Sequence, residues 1–313
     1  MFRLEAHHSL GDDQRATVLA FVHHVESALG RRPLNDHLYL DLTESGREGF
    51  AALLAWDGDE LRGYAQFSRG HDSSTLEIVV PPTRAGAELV APLLSGARDL
   101  VAAAGGGTLQ WWVVDPTAEI DAIGRANGLD AGRTLYQMQV ELPLPADVVE
   151  AARGVPTRAF VPGRDEAAWL DVNNAAFADH PEQGGWDAAT LAQREAQSWF
   201  DPEGFRLHER GGRLAAFCWT KVHADSAPVL GEIYVIAVHP DFVGLGLGKA
   251  LTVAGLDHLA GLGITTGMLY VDADNVAAVG MYRRLGFETH RTDRAYVGHV
   301  PPATTDREGG ESG

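Results

Sequence analysis

A single cysteine, Cys218, is all that the 313-residue chain carries, and a disulfide needs two. An internal disulfide framework is excluded, and the apolar setting "LAAFCWTKV" marks Cys218 as a buried structural thiol rather than a nucleophile. Positive charge is also scarce. Lys and Arg number 25 against 43 Asp and Glu, a net charge of −18 with no basic patch, which repels nucleic acid and anionic membranes. Long apolar runs are missing as well. The start, "MFRLEAHHSL", lacks the apolar centre of a signal peptide, and no stretch approaches the roughly 20 apolar residues of a membrane helix. A monomer in the cytoplasm is the expectation. His180, His223 and His239 lack the spacing of metal ligands; they read as ordinary loop or edge residues, and no metal is expected.

What is present suits a globular protein of two domains: 45% hydrophobic and 22% charged residues. Composition shifts across residues 143–157, "PLPADVVEAARGVPT", where prolines punctuate the chain. Boundaries are therefore expected at 1–145 for a first domain, 146–156 for a linker, 157–300 for a second domain and 301–313 for a flexible tail without apolar periodicity. The halves repeat at a constant offset of 158, pairing Pro82 with Pro240, Trp112 with Tyr270, and Gly128-Leu129 with Gly286-Phe287. Each half reads as an amphipathic helix, then two strands about a tight turn ("WDGDELRGY", "HERGGRLAA") and an apolar strand ending in proline ("TLEIVVPP", "GEIYVIAVHP"). A helix, a strand ("LQWWVV", "GMLYVD"), a second helix and a last strand follow. The fold class is α/β, with a mixed, mostly antiparallel sheet flanked by helices in each half. The continuous apolar run in "EIYVIAV" implies a central strand covered on both faces. A strict period of two would put Glu232, Tyr234, Ile236 and Val238 on one face. Pro92 is compatible with the helix of the first half only in its first turn.

Between that strand and the next helix lies "HPDFVGLGLGKALT", residues 239–252. Backbone N–H groups at a helix start form a natural anion site. The nucleotide triphosphate loop is ruled out, because Val243 and Ala250 stand where its first glycine and its hydroxyl belong. The dinucleotide fingerprint fails on spacing, G-x-G-x-G instead of G-x-G-x-x-G. Glycines that merely allow a close helix–strand approach remain a further reading.

Apolar strand, proline and a turn ending in G-L-G before a helix resembles the pyrophosphate turn of the GCN5-related N-acetyltransferases, whose pattern is Q/R-x-x-G-x-G/A. Here it runs Val243-Gly244-Leu245-Gly246-Leu247-Gly248, with valine at the polar first position. The stretch "YVDADNVAAVGMYRRLGFE", residues 270–288, is similar to the family's second signature. The resemblance implies acetyl-coenzyme A as co-substrate, lined by Ile236, Ala237 and Val238, by Val243, Gly244, Leu245, Gly246, Leu247, Gly248 and Lys249, and by Asn275, Val276, Ala277, Ala278, Val279 and Gly280. It makes Glu232 the base and Tyr282 the acid that returns a proton to the thiolate, and a bulge in the strand would let an N–H near Ile236 to Val238 polarise the thioester. Subtracting 158 puts Ser74, Gly124 and Glu88 where the second half has Glu232, Tyr282 and Gly246, so the first half is expected to be a degenerate copy.

"NNAAFADHPEQGGW" (173–186), "WTKVH" (219–223) and "GEIYV" (231–235) resemble a tandem branch of the family with an active C-terminal half. That narrower resemblance implies the cysteinyl amine of cysteinyl-glucosaminyl-inositol as acceptor, contacted by Glu182, Lys221, Glu232 and Tyr270. Asp36 stands where the branch has a glutamate that reaches across the domain interface. An acetyltransferase for another small amine, or a non-catalytic acetyl-coenzyme A binder, stays open at this point.

Overall fold

The computed structural model describes residues 2–43, 49–69, 73–178, 183–224 and 226–303. Its backbone forms two compact units, one of Met1–Thr134 with Thr292–Gly313, the other of Leu135–Arg291. Unit 1 holds β1 (Arg3–His7), α1 (Asp12–Leu29), α2 (Asp36–Thr43), β2 (Phe50–Asp57), β3 (Glu60–Arg69), β4 (Ser73–Val79), α3 (Arg84–Ala103), β5 (Gly107–Val114) and α4 (Ala118–Ala126). Strands β1 to β4 pair antiparallel in sequence order, and β4 runs parallel to β5.

Unit 2 repeats that order. It has α5 (Ala146–Ala152), β7 (Arg158–Ala159), α6 (Glu166–Ala176), α7 (Ala188–Glu195), β8 (Phe205–Arg210), β9 (Arg213–His223), β10 (Leu230–Val238), α8 (Leu247–Gly261), β11 (Thr266–Asp272) and α9 (Val276–Arg284). Strands β7 to β10 are antiparallel and β10 is parallel to β11.

The unit boundaries fall inside two long strands, β6 (Asp130–Glu141) and β12 (Glu288–Val300). Leu135 to Glu141 of β6 pair antiparallel with β11 in unit 2, and Asp293 to Val300 of β12 pair with β5 in unit 1. Each sequence half thus gives part of its last strand to the sheet of the other. The stretch 146–156 differs from the expected linker: it carries α5, whose Val148, Val149 and Ala152, with Val155 after it, pack into the core of unit 2. Of the expected tail, residues 304–313 lie outside the described residues.

Pro92 corrects an expectation, since α3 continues unbroken through it. Proline lacks the N–H that would bond to the Glu88 carbonyl, but Leu89, Val90, Leu93, Leu94, Ala97 and Val101 are all buried along the helix. Burial of that stripe outweighs a local break of about 3 kcal/mol.

Strand β10 is covered on both faces, as its apolar run implied. On one side Ile233 shares a core with Leu251, Val253, Leu256 and Leu259 of α8. The helix lies close because Gly255 has no side chain; a Cβ there would stand 2.6 Å from Cys218 Sγ. Burial pushes that thiol's pKa far up, which keeps it protonated. On the other side Trp169, Phe205, Phe217 and Trp219 form an aromatic core, with Phe205 stacked on Trp219 at 4.4 Å between centroids.

Candidate active site

The register of β9 and β10 slips once. Glu232 pairs with Lys221 and Ile233 with Thr220, but Val235 pairs with Trp219, so Tyr234 is the extra residue of a bulge. A bulge reverses the alternation beyond it. Tyr234, Val235 and Ala237 consequently pack with the aromatic core, while Ile236 and Val238 turn to the α8 side. The single face expected for Glu232, Tyr234, Ile236 and Val238 is therefore split. Pairing of β10 with β11 covers only Gly231 to Ile233; past that point no strand among the described residues pairs with the edge of β10 opposite β9, which is open there along Ile236 to Val238.

Glu232 is 7% exposed, and its Oε2 lies 2.7 Å from Nε2 of His223. Lys221, directly opposite, is also buried, its Nζ 4.8 Å from the Trp199 ring centroid and 5.4 Å from that of Tyr234. Tyr270 on β11 is exposed and sits opposite Gln137. Its hydroxyl accepts from Gln137 Nε2 at 2.9 Å and from Arg291 at 2.6 Å, and Gln139 donates to Gln137 at 3.4 Å. In register, Glu232 faces Met268, two residues from Tyr270, so Glu232, Lys221 and Tyr270 share one face of the sheet. Glu182 lies outside the described residues. Asp36 belongs to unit 1, where it opens α2 at 3.7 Å from Arg32.

The glycine turn lies at the other end of β10. Gly244 (φ 86°) and Gly246 (φ 74°) adopt the left-handed conformation, and no atom lies within 4 Å of where a Cβ on either would be. Gly246 caps α8 without a side-chain hydrogen bond, so the first amides of the helix, on Leu247, Gly248 and Lys249, have no acceptor within it. Helix α3 starts differently. Thr83 Oγ1 accepts from Gly86 N at 3.1 Å, and Glu88, at 3.3 Å from Arg84, adds a carboxylate close by. An anion would find donors at α8, whereas at α3 the Gly86 amide is already taken by the Thr83 hydroxyl. The residues of the turn therefore fit a pyrophosphate.

Asn275 caps α9, its Oδ1 accepting from Ala278 N at 3.1 Å, with Val276 exposed beside it. Gly248, Met281 and Val238 converge, since a Cβ on Gly248 would lie 3.9 Å from both side chains. Tyr282 is 5% exposed on the α8 side of the sheet, its ring 5.6 Å from that of Phe287. Burial, reinforced by the neighbouring Cys218, pushes its pKa far up, so the phenol stays protonated. Among the described residues no group of three or more His, Cys, Asp or Glu side chains could hold a metal ion. No helix there is long and apolar enough to cross a membrane.

Residues 169–287 match the model of the Acetyltransferase (GNAT) family. A mycothiol acetyltransferase of Thermobispora bispora is 41% identical, the match covering 94% of this chain and 98% of that protein. One of Streptomyces coelicolor is 44% identical over 92% of each. The chain belongs to the mycothiol acetyltransferase family. Two solved structures share the fold along the whole chain. A GCN5-related N-acetyltransferase from Sphaerobacter thermophilus has a TM-score of 0.65 at 22% identity and covers 96% of this chain and 97% of its own. A tandem GNAT protein from the clavulanic acid biosynthesis pathway also has a TM-score of 0.65, at 17% identity, and covers 96% and 100%. Acetyltransferases of the GNAT family use acetyl-coenzyme A.

Within this mycothiol acetyltransferase fold, several site residues escaped sequence reasoning. His223, read as an ordinary edge histidine, is the hydrogen-bond partner of Glu232. Its one available signal was the spacing of two from Lys221. Gln137 and Gln139 come from the last strand of the first half, and no local pattern announces that β6 crosses into unit 2. Arg291 is apparent only through its bond to Tyr270.

Proposed function

We propose that this protein transfers the acetyl group of acetyl-coenzyme A to the cysteinyl amine of cysteinyl-glucosaminyl-inositol, producing mycothiol. The observation that carries the reading is a buried carboxylate on one face of β10 and a buried, protonated phenol on the other, beside the open edge of that strand. Acetyl-coenzyme A, when bound, supplies the acetyl group as an activated thioester.

The amides at the start of α8 and the Gly244–Gly246 turn hold its pyrophosphate, and the open edge at Ile236 to Val238 holds the pantetheine arm. An N–H of that edge stabilises the charge that develops on the thioester oxygen. Glu232 accepts the proton of the incoming ammonium, which frees the nitrogen lone pair for attack. Tyr282 gives its phenolic proton to the departing sulfur. Lys221, Tyr270 and Glu182 bind the hydroxyl-rich acceptor, for which hydroxyls that both donate and accept suit mixed charges. The enzyme acts as a monomer in the cytoplasm and needs no metal.

The test is incubation of purified protein with acetyl-coenzyme A and cysteinyl-glucosaminyl-inositol, with the product identified by mass and free thiol followed over time. N-acetylation of the cysteinyl amine is expected. Preference for a different amine in competition would refute the acceptor, and ligand binding without turnover on any amine would refute the enzyme.

A further inference from the structure

A buried carboxylate needs hydrogen-bond donors, and for Glu232 the strand pairing provides one. With Lys221 opposite Glu232 and His223 opposite Leu230, His223 is the diagonal neighbour of Glu232 on the same face. Its Nε2 stands 2.7 Å from Oε2. The backbone of His223 is tied down, because Ser226 donates to its carbonyl through Oγ at 2.8 Å and through N at 3.2 Å. The imidazole is 29% exposed and the carboxylate side chain 9%, so the ring joins a dry base to water. An ionised carboxylate offers only lone pairs, and Nε2 must therefore carry the hydrogen.

We propose that His223 is the positioning residue of the base: in its neutral form it donates Nε2–H to Oε2 of Glu232, leaves Oε1 for the acceptor ammonium, and by taking up a second proton switches the base off. The proposal rests on Glu232 being the base. An imidazolium at this distance favours the ionised carboxylate and lowers its appetite for the substrate proton. Other groups on this face are Lys221 and Tyr234 from β9 and β10, and Tyr270 with Arg291 beside β11. Lys, Arg and Tyr hold one charge state through the neutral range, whereas an imidazole changes charge within it.

Two variants separate geometry from charge. His223→Gln keeps an N–H donor without a titrating group, and His223→Phe removes both. With kcat and both KM values followed from about pH 5.5 to 9, His223→Phe is expected to lose roughly 10- to 100-fold in kcat, less than the ~10²–10⁴ of a lost general base, at unchanged KM for acetyl-coenzyme A. His223→Gln should regain most of that loss and lack the His223 step in its acidic limb. The acceptor's own ammonium titrates identically in every variant, so a difference from wild type reports the enzyme. Imidazole nitrogen NMR shifts read the pair without turnover: His223 should be the Nε2–H form when neutral, and should titrate at lower pH in Glu232→Gln. An acidic limb unchanged in His223→Gln, an effect on acceptor KM alone, or an Nδ1–H imidazole that ignores Glu232→Gln would overturn the proposal. Full kcat in Glu232→Gln would instead remove the base assignment.

Discussion

Glu232 and Tyr282 lie on opposite sides of one strand, and that placement assigns each a separable kinetic effect. Glu232→Gln keeps the shape and hydrogen-bonding capacity of the side chain but cannot accept the amine proton. Its kcat should fall between about 10²- and 10⁴-fold, with KM for acetyl-coenzyme A nearly unchanged, because the turn proposed to hold the pyrophosphate is at the far end of β10. Tyr282→Phe removes only an oxygen from a buried ring, so folding should survive while kcat falls roughly 10²-fold. Since burial raises the Tyr282 pKa, the phenol remains protonated at high pH, and the basic limb of the wild-type profile should show no loss from it. Steady-state kinetics across pH checks both. The helix that carries Tyr282 was legible in the sequence, as the second helix of its half. The face occupied by Ile236 was not, because one bulged residue, Tyr234, changes the parity of everything after it; His223 was not, because its contact with Glu232 depends on which residues of β9 and β10 stand opposite each other.

Among the elements, the start of α8 and the start of α6 are held by opposite means. Helix α8 begins at Gly246, in a left-handed conformation that an L side chain adopts at a cost of roughly 1–2 kcal/mol. There is room for a Cβ at that position, so Gly246→Ala should cost about 1 kcal/mol of stability and raise KM for acetyl-coenzyme A, as a denaturation curve and a substrate titration would show. The glycine pattern was readable from sequence because it is contiguous. Asp165, ahead of α6, was not singled out, since its partners are spread over β7 and the following loop. Burial pushes its pKa up, but hydrogen bonds from Arg158, Arg164 and the Val161 N–H outweigh that and hold it well below the usual carboxylate range. A depressed carboxylate contributes stability above its unfolded pKa and loses it as pH falls towards the folded one. Asp165→Asn should therefore cost about 2 kcal/mol at neutral pH, a modest figure because Arg158 is partly exposed to screening water. The gap from wild type should narrow below about pH 4 in urea unfolding.

At the scale of the whole molecule, a 158-residue repeat is visible in sequence, yet the halves it defines differ from the compact units. The repeat reflects which elements follow one another, whereas the units reflect which strands pair, and β6 and β12 pair outside their own halves. Tyr296 on β12 shows how much unit 1 depends on the end of the chain. It is buried, 5.3 Å from the Trp111 ring, and donates to Asp121 at 2.5 Å. Burial, together with that bond, pushes its phenol pKa up to about 12. A raised pKa gives stability that is complete below the ordinary tyrosine value, about 10, and is lost as pH rises through about 12. Unit 1 should therefore weaken in that alkaline window, and Tyr296→Phe should weaken less over the same range. Tyr296→Ala, which empties a core site, should cost about 3–5 kcal/mol. A fragment of residues 1–145 contains every helix of unit 1 but lacks the strand paired with β5, leaving Trp111 and an unpaired strand edge exposed. Expressed alone, it should fail to give a cooperative unfolding transition and should aggregate, whereas the full chain folds. A soluble, cooperatively unfolding 1–145 fragment would mean that the sequence half, rather than the strand-exchanged unit, is what folds.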